Sequence, residues 1–202
     1  GIVPMQRLVQ GDVGSGKTAI AILALTKIVE NGYQGALMAP TEVLAAQHFK
    51  TFQQVFKGMP IKTAYLSGHT KAAERKEILE QLKDGSIHIL IGTHALIEEN
   101  VVFSALGLVI TDEQHRFGVK QRQALESKGK SPHVLIMTAT PIPRTMALSV
   151  YGDLDVSFIK GMPPGRHPVK TYVVGSHMLQ RIFRFMKKEM ESGHQAYVAC
   201  PL

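Results

Sequence analysis

The 202-residue chain has a single cysteine, Cys200, no tryptophan and few aromatic residues. One thiol cannot form an internal disulfide, so a disulfide-stapled extracellular scaffold is excluded and a reducing, cytoplasmic setting is expected. No apolar run approaches the roughly 20 residues a bilayer-spanning helix needs, and the opening residues lack the order of a secretory signal. Membrane insertion is not expected. Acidic residues are outnumbered, 16 against 23 Lys and Arg, for a formal net charge of +7. That surplus favours a polyanionic partner, while basic enzymes that never meet nucleic acid stay open on charge alone. The nine histidines include no H-E-x-x-H spacing and the lone cysteine allows no Cys pair, so no zinc site is expected.

What the chain does have is alternation of two kinds of segment. RLVQ, GALMAP, TAYLSG, HILIGT, LGLVITD and HVLIMTAT are short β-rich runs, and helical spacing is read over 17–30, 42–56 and 72–85. Strands separated by helices predict an α/β fold, with a mostly parallel sheet flanked by helices on both faces. LVIT and VLIM are apolar without alternation, which places their strands in the sheet centre. KGMPPGRHP breaks any regular element, so we expect one domain over 1–160, a linker over 161–168 and the start of a second α/β lobe over 169–202. In that last part KTYVVG and QAYVACP read as strands around a basic amphipathic helix, and the lobe is expected to be cut short.

GDVGSGKT, residues 11–18, fits G-x-x-x-x-G-K-[ST] between a predicted strand and a predicted helix. In such a loop Gly11, Asp12, Val13, Gly14, Ser15 and Gly16 wrap backbone N–H groups round phosphate oxygens, which the helix N-terminus also attracts. Lys17 reaches the β and γ phosphates and Thr18 ligates Mg²⁺; the plain alternative is a glycine-rich turn that caps a helix. LGLVITDEQH ends a buried strand in two carboxylates, where α/β sheets place ligands. Asp112 suits the metal, and Glu113 suits orienting and deprotonating the water that attacks the γ phosphate, so ATP and Mg²⁺ are the expected cofactors.

GDVGSGKT, MAPTEVLAAQH, IGTHALI, TDEQHRFGVKQR and MTATPIPRTMA stand in the order and spacing of motifs I, Ia, Ib, II and III of superfamily 2 helicases. With DEQHRFGV followed by TATPIPRT, the chain resembles the bacterial RecG family of ATP-dependent DNA helicases across nearly its whole length. The transcription-repair coupling factor is similar through the same blocks, but Ser15 and Gln114 favour the first family. The resemblance implies a RecA-like P-loop fold and a DNA-dependent ATPase that remodels replication forks and Holliday junctions in repair and recombination. Branched DNA is the implied partner, with a single-stranded-DNA-binding protein as a further one.

Carried residue by residue, the resemblance gives the nucleotide loop to residues 11–18 and the DExH box to Asp112, Glu113 and His115. It gives coupling of phosphate state to DNA to His115, Thr138 and Thr140, and DNA-backbone contacts to Thr41, Thr93 and Arg116. Each has a plainer reading: Thr41 and Thr93 as helix N-caps, TAT as a strand stopping before Pro141, His115 as a turn cap, Arg116 as the start of a solvated helix. The family's second-lobe arginines do not occur in the stretch present, so the chain alone is expected to hydrolyse ATP poorly. A translocase of the coupling-factor type and a non-catalytic nucleotide-binding module remain the other functional readings.

Overall fold

A strand that is apolar on both faces can only sit inside a sheet that is covered on both sides. The computed structural model, which describes residues 3–112, 119–140, 154–160 and 169–200, follows that logic. The chain divides into two compact units, Gly1–Pro164 and Gly165–Leu202.

In the first unit the elements run β1 (Gln6–Gln10), α1 (Lys17–Glu30), β2 (Gln34–Met38), α2 (Glu42–Val55), β3 (Thr63–Leu66), α3 (Ala72–Lys83) and β4 (Ile89–Gly92). A 3₁₀ turn over His94–Ile97 follows, then β5 (Leu106–Asp112), α4 (Val119–Glu126), β6 (His133–Thr138) and β7 (Asp155–Phe158). The strands form one seven-stranded sheet in the order β3-β4-β2-β5-β6-β1-β7, with every pairing parallel. LVIT and VLIM lie in β5 and β6, inside the sheet as expected. The edge strand β3 alternates between buried and half-buried residues.

Side chains that alternate along the inner strands build two large cores and a smaller one of Leu8, Val134, Ile136 and Leu154. Leu37, Ile91, Ile110 and Met137 meet Ala21 and Leu25 of α1 and Phe52 of α2 on one face. Ala36, Leu90 and Val109 meet Ile78 and Leu82 of α3 and Leu125 of α4 on the other. Helices therefore cover both faces, and the fold is α/β.

The sequence reading does not anticipate β7, a four-residue, half-exposed strand. It is held by Arg7, which donates to Ser157 Oγ at 2.6 Å and pairs with Asp155 at 3.0 Å. The segment after β4 makes only a single 3₁₀ turn, because Glu98 returns to extended backbone.

The second unit carries a 3₁₀ turn at Ser176–Met178 and a helix, α5 (Leu179–Glu191), and no strand among its described residues. This corrects the strands expected at KTYVVG and QAYVACP. A strand exists only through a ladder to a neighbour, and neither segment has one there. The linker expected at 161–168 falls outside the described residues.

Candidate functional site

Parallel sheets present their strand ends, and the loops that follow them, along one edge. After β1 the chain turns at Gly11, whose N–H donates to the Thr138 carbonyl at 3.1 Å. Asp12 Oδ1 accepts the Val13 N–H at 2.7 Å and the Asp12 carbonyl accepts the Ser15 N–H at 3.1 Å, so the turn closes on itself. Gly14 and Gly16 have φ of 79° and 99°, a region that a side chain disfavours. Gly16 is also the N-cap of α1, which has no side-chain cap and no acid in its first turn. No capping side chain therefore meets the orphan N–H groups of its first turn.

Lys17 Nζ donates to the Gly11 carbonyl at 2.6 Å and the Asp12 carbonyl at 3.0 Å. The ammonium thus lies across the loop it would serve. Ser15 Oγ, in this loop, and Gln10 Oε1, just before it, are buried and have no partner among the described residues. Buried polar atoms of that kind are costly unless a ligand or water meets them.

Asp112 ends β5 and is buried at 8% exposure. It lines a cavity of about 420 Å³ with Gly14, Lys17 and Thr18 on one side and Leu44, Gln47, His48 and Thr51 of α2 on the other. A carboxylate, a hydroxyl and an ammonium in one hollow suit a phosphate chain with a hard, oxygen-ligated cation. A cavity of equal size, about 420 Å³, opens beside Tyr33, Leu106 and His133. It lies at the amino ends of β5 and β6, away from the loop and the acid, so chemistry separates the two.

β6 lies between β1 and β5. Its last residue, Thr138, is buried, and its hydroxyl accepts the Thr140 N–H at 3.1 Å while its carbonyl holds Gly11. Thr138 therefore touches the phosphate-type loop directly. Glu113, His115 and Arg116, with Gln114, fall outside the described residues, so of the acid tetrad only Asp112 is placed.

Thr41 caps α2, its Oγ1 accepting the Leu44 N–H at 3.3 Å. Next to it Glu42 pairs with the exposed ring of His69 at 2.8 Å. The hydrogen bond from His69 holds the Glu42 carboxyl below its ordinary 4.5, and the same bond raises His69 above 6.5. Thr93, expected at the same track, is 2% exposed, with a buried hydroxyl that has no partner among the described residues. It does not cap the turn that follows. Its hydroxyl is not on the surface, and its backbone is engaged as well, the N–H donating to the Leu66 carbonyl at 3.3 Å and the carbonyl accepting the Leu96 N–H at 3.1 Å.

Sequence reading missed His48, whose Nε2 sits 2.7 Å from Asp112 Oδ2 with both side chains about nine-tenths buried. The available signal was helical phase: Thr41, Leu44, His48 and Thr51 recur at the spacing of one helix face.

A family model described as DEAD/DEAH box helicase matches residues 4–148. The ATP-dependent DNA helicase RecG of Bacillus subtilis (strain 168) is 56% identical over 198 residues, 98% of this chain and 29% of that protein. RecG of Aquifex aeolicus (strain VF5) is 50% identical over 202 residues, 99% of this chain and 26% of its own. A solved structure of RecG bound to a three-way DNA junction superposes with a TM-score of 0.81 at 48% identity, over 98% of this chain and 27% of that one. The Pyrococcus furiosus Hef helicase domain, at 22% identity and a TM-score of 0.61 over 76% of this chain and 34% of that one, shares the RecA-like fold. The chain spans under a third of the length of the curated relatives it matches. The matched region takes in both the glycine loop and the acid-ended strand, with the sheet between them. The chain belongs to the DEAD/DEAH box helicase family, and use of a nucleotide comes with that membership.

Proposed function

We propose that this chain is the ATP-hydrolysing lobe of a bacterial, cytoplasmic DNA helicase that remodels branched DNA such as replication forks and Holliday junctions. Residues 1–160 form the lobe, 161–168 the linker and 169–202 the start of its partner lobe. The observation that most supports this is the convergence of Lys17 and Thr18 with Asp112, distant from them in sequence, on one cavity.

In this reading the N–H groups of residues 11–18 and the Lys17 ammonium bind the β and γ phosphates of ATP. Lys17 exchanges the Gly11 and Asp12 carbonyls for phosphate oxygens. Thr18 and Asp112 hold Mg²⁺, which when bound draws charge from the phosphate oxygens. Glu113 orients a water and takes its proton as the water oxygen bonds to the γ phosphorus. The bond from that phosphorus to the bridging oxygen breaks, leaving ADP and phosphate. His115, Thr138 and Thr140 pass the loss of phosphate to a DNA track that runs along Thr41, the segment at Thr93, and Arg116. Contacts of that kind hold the DNA backbone without reading bases.

The test is ATP hydrolysis by the protein at its native length, with forked, linear duplex or single-stranded DNA and with Lys17→Ala and Glu113→Gln as controls. Strongest stimulation by forks, abolished in both variants, is the expected result. Equal stimulation by all three DNAs, or DNA-stimulated turnover that survives Glu113→Gln, overturns the proposal.

A further inference from the structure

A carboxylate that must receive a metal needs its rotamer fixed beforehand, and buried partners of metal ligands supply that orientation. Asp112 ends a central strand with its side chain 11% exposed, and His48 Nε2 meets its Oδ2 at 2.7 Å. A carboxylate oxygen accepts, so the contact suits donation from Nε2. The bond occupies Oδ2 of Asp112, and Oδ1 has no hydrogen-bond partner among the described residues. His48 itself is held by helix geometry: it lies on α2, two turns beyond the cap that Thr41 makes with Leu44. Beside it on that helix, Phe52 is fully buried against the sheet. The imidazole therefore approaches Asp112 from a fixed support.

We infer that His48 is a positioning residue for the metal-holding carboxylate, one that turns Asp112 Oδ1 toward the cation beside Thr18. The inference rests on the proposed role of Asp112. A purely structural histidine would affect the stability of α2 and leave metal binding alone. A positioning histidine changes metal binding when its reach is lost, even in a folded protein.

Two substitutions separate these roles, because an Asn side-chain nitrogen falls near the position of Nδ1 and a Gln nitrogen near that of Nε2. In the protein at its native length, Mn²⁺ binding to the ADP complex is measured by electron paramagnetic resonance. Metal-free ADP binding is measured by calorimetry, and thermal melting confirms folding. His48→Asn is expected to weaken Mn²⁺ binding about 10- to 100-fold, with metal-free ADP binding unchanged, and His48→Gln to restore most of the loss. Equal Mn²⁺ binding in folded His48→Asn, His48→Gln and wild type overturns the inference. Asp112→Asn is the separating control. If it removes Mn²⁺ binding while His48→Asn does not, only the role of His48 falls; if it leaves binding intact, the role of Asp112 falls as well.

Discussion

Gly11 and Thr138 share a backbone hydrogen bond of 3.1 Å that ties the glycine loop to the end of β6. The Thr138 hydroxyl meanwhile holds the Thr140 N–H at 3.1 Å. One residue thus contacts the loop with its carbonyl and the outgoing chain with its side chain.

Thr138→Val keeps the β-branched shape inside β6 and removes the acceptor for Thr140. Coupling through such a contact is worth about 0.5–2 kcal/mol, so the ratio of DNA-stimulated to basal ATP hydrolysis should fall roughly 2- to 30-fold. Nucleotide affinity, followed by titration with a fluorescent ATP analogue, should hold. An unchanged ratio would count against coupling through Thr138.

Lys17→Ala removes the ammonium that holds Gly11 and Asp12. Losing one charge-assisted bond to phosphate costs about 1.5–3 kcal/mol, so ATP affinity should drop roughly 10- to 150-fold in the same titration. Thermal melting should barely move, since the lysine is only half-buried and its loop carbonyls can turn to water.

Gln34 is 4% exposed, yet its side-chain amide is fully engaged. Nε2 donates to the Leu82 carbonyl at 2.9 Å and the Ile87 carbonyl at 2.7 Å, and Oε1 accepts the Ala105 N–H at 2.9 Å. Gln34→Leu would orphan the Ile87 carbonyl and the Ala105 N–H, while the Leu82 carbonyl keeps the Gly85 N–H, and should destabilise the unit by on the order of 2 kcal/mol. Urea unfolding measures this, and a change below about 1 kcal/mol would mean that water replaces the amide.

The Glu42–His69 pair predicts a pH dependence. His69 is raised above 6.5, so its contribution is fully present below 6.5 and is lost as pH climbs through the raised value. Glu42 is lowered beneath 4.5, so its contribution is present above 4.5 and fades as pH falls through the lowered value. The pair is therefore intact between the two. An NMR titration of His69 should show a midpoint above 6.5 that returns toward 6.5 in Glu42→Gln, and no return would remove the pair as its cause.

The elements that carry their own local signal were legible before any coordinates: the glycine loop between strand and helix, the Thr41 cap, the buried runs of β2, β4, β5 and β6. Elements that depend on a distant partner were not. β7 owes its place to its parallel ladder with β1, to which Arg7 adds side-chain bonds, and the strand-like segments around α5 have no ladder partner among the described residues. His48 closes the MAPTEVLAAQH stretch and carries no local signal of its own beyond helical phase. Its importance comes from Asp112, on another strand altogether.

By itself the sequence determined an α/β alternation, a phosphate-type loop and an acid at a strand end, because each is written in contiguous residues and a short-range period. Tertiary structure alone decided which strand lies next to which. Fully buried apolar strands are interchangeable in pattern, so nothing local said that β6 would enter between β1 and β5 and set Thr138 against Gly11. Nothing local aimed a histidine of α2 at the acid of β5, since that contact arises only when helix and sheet pack.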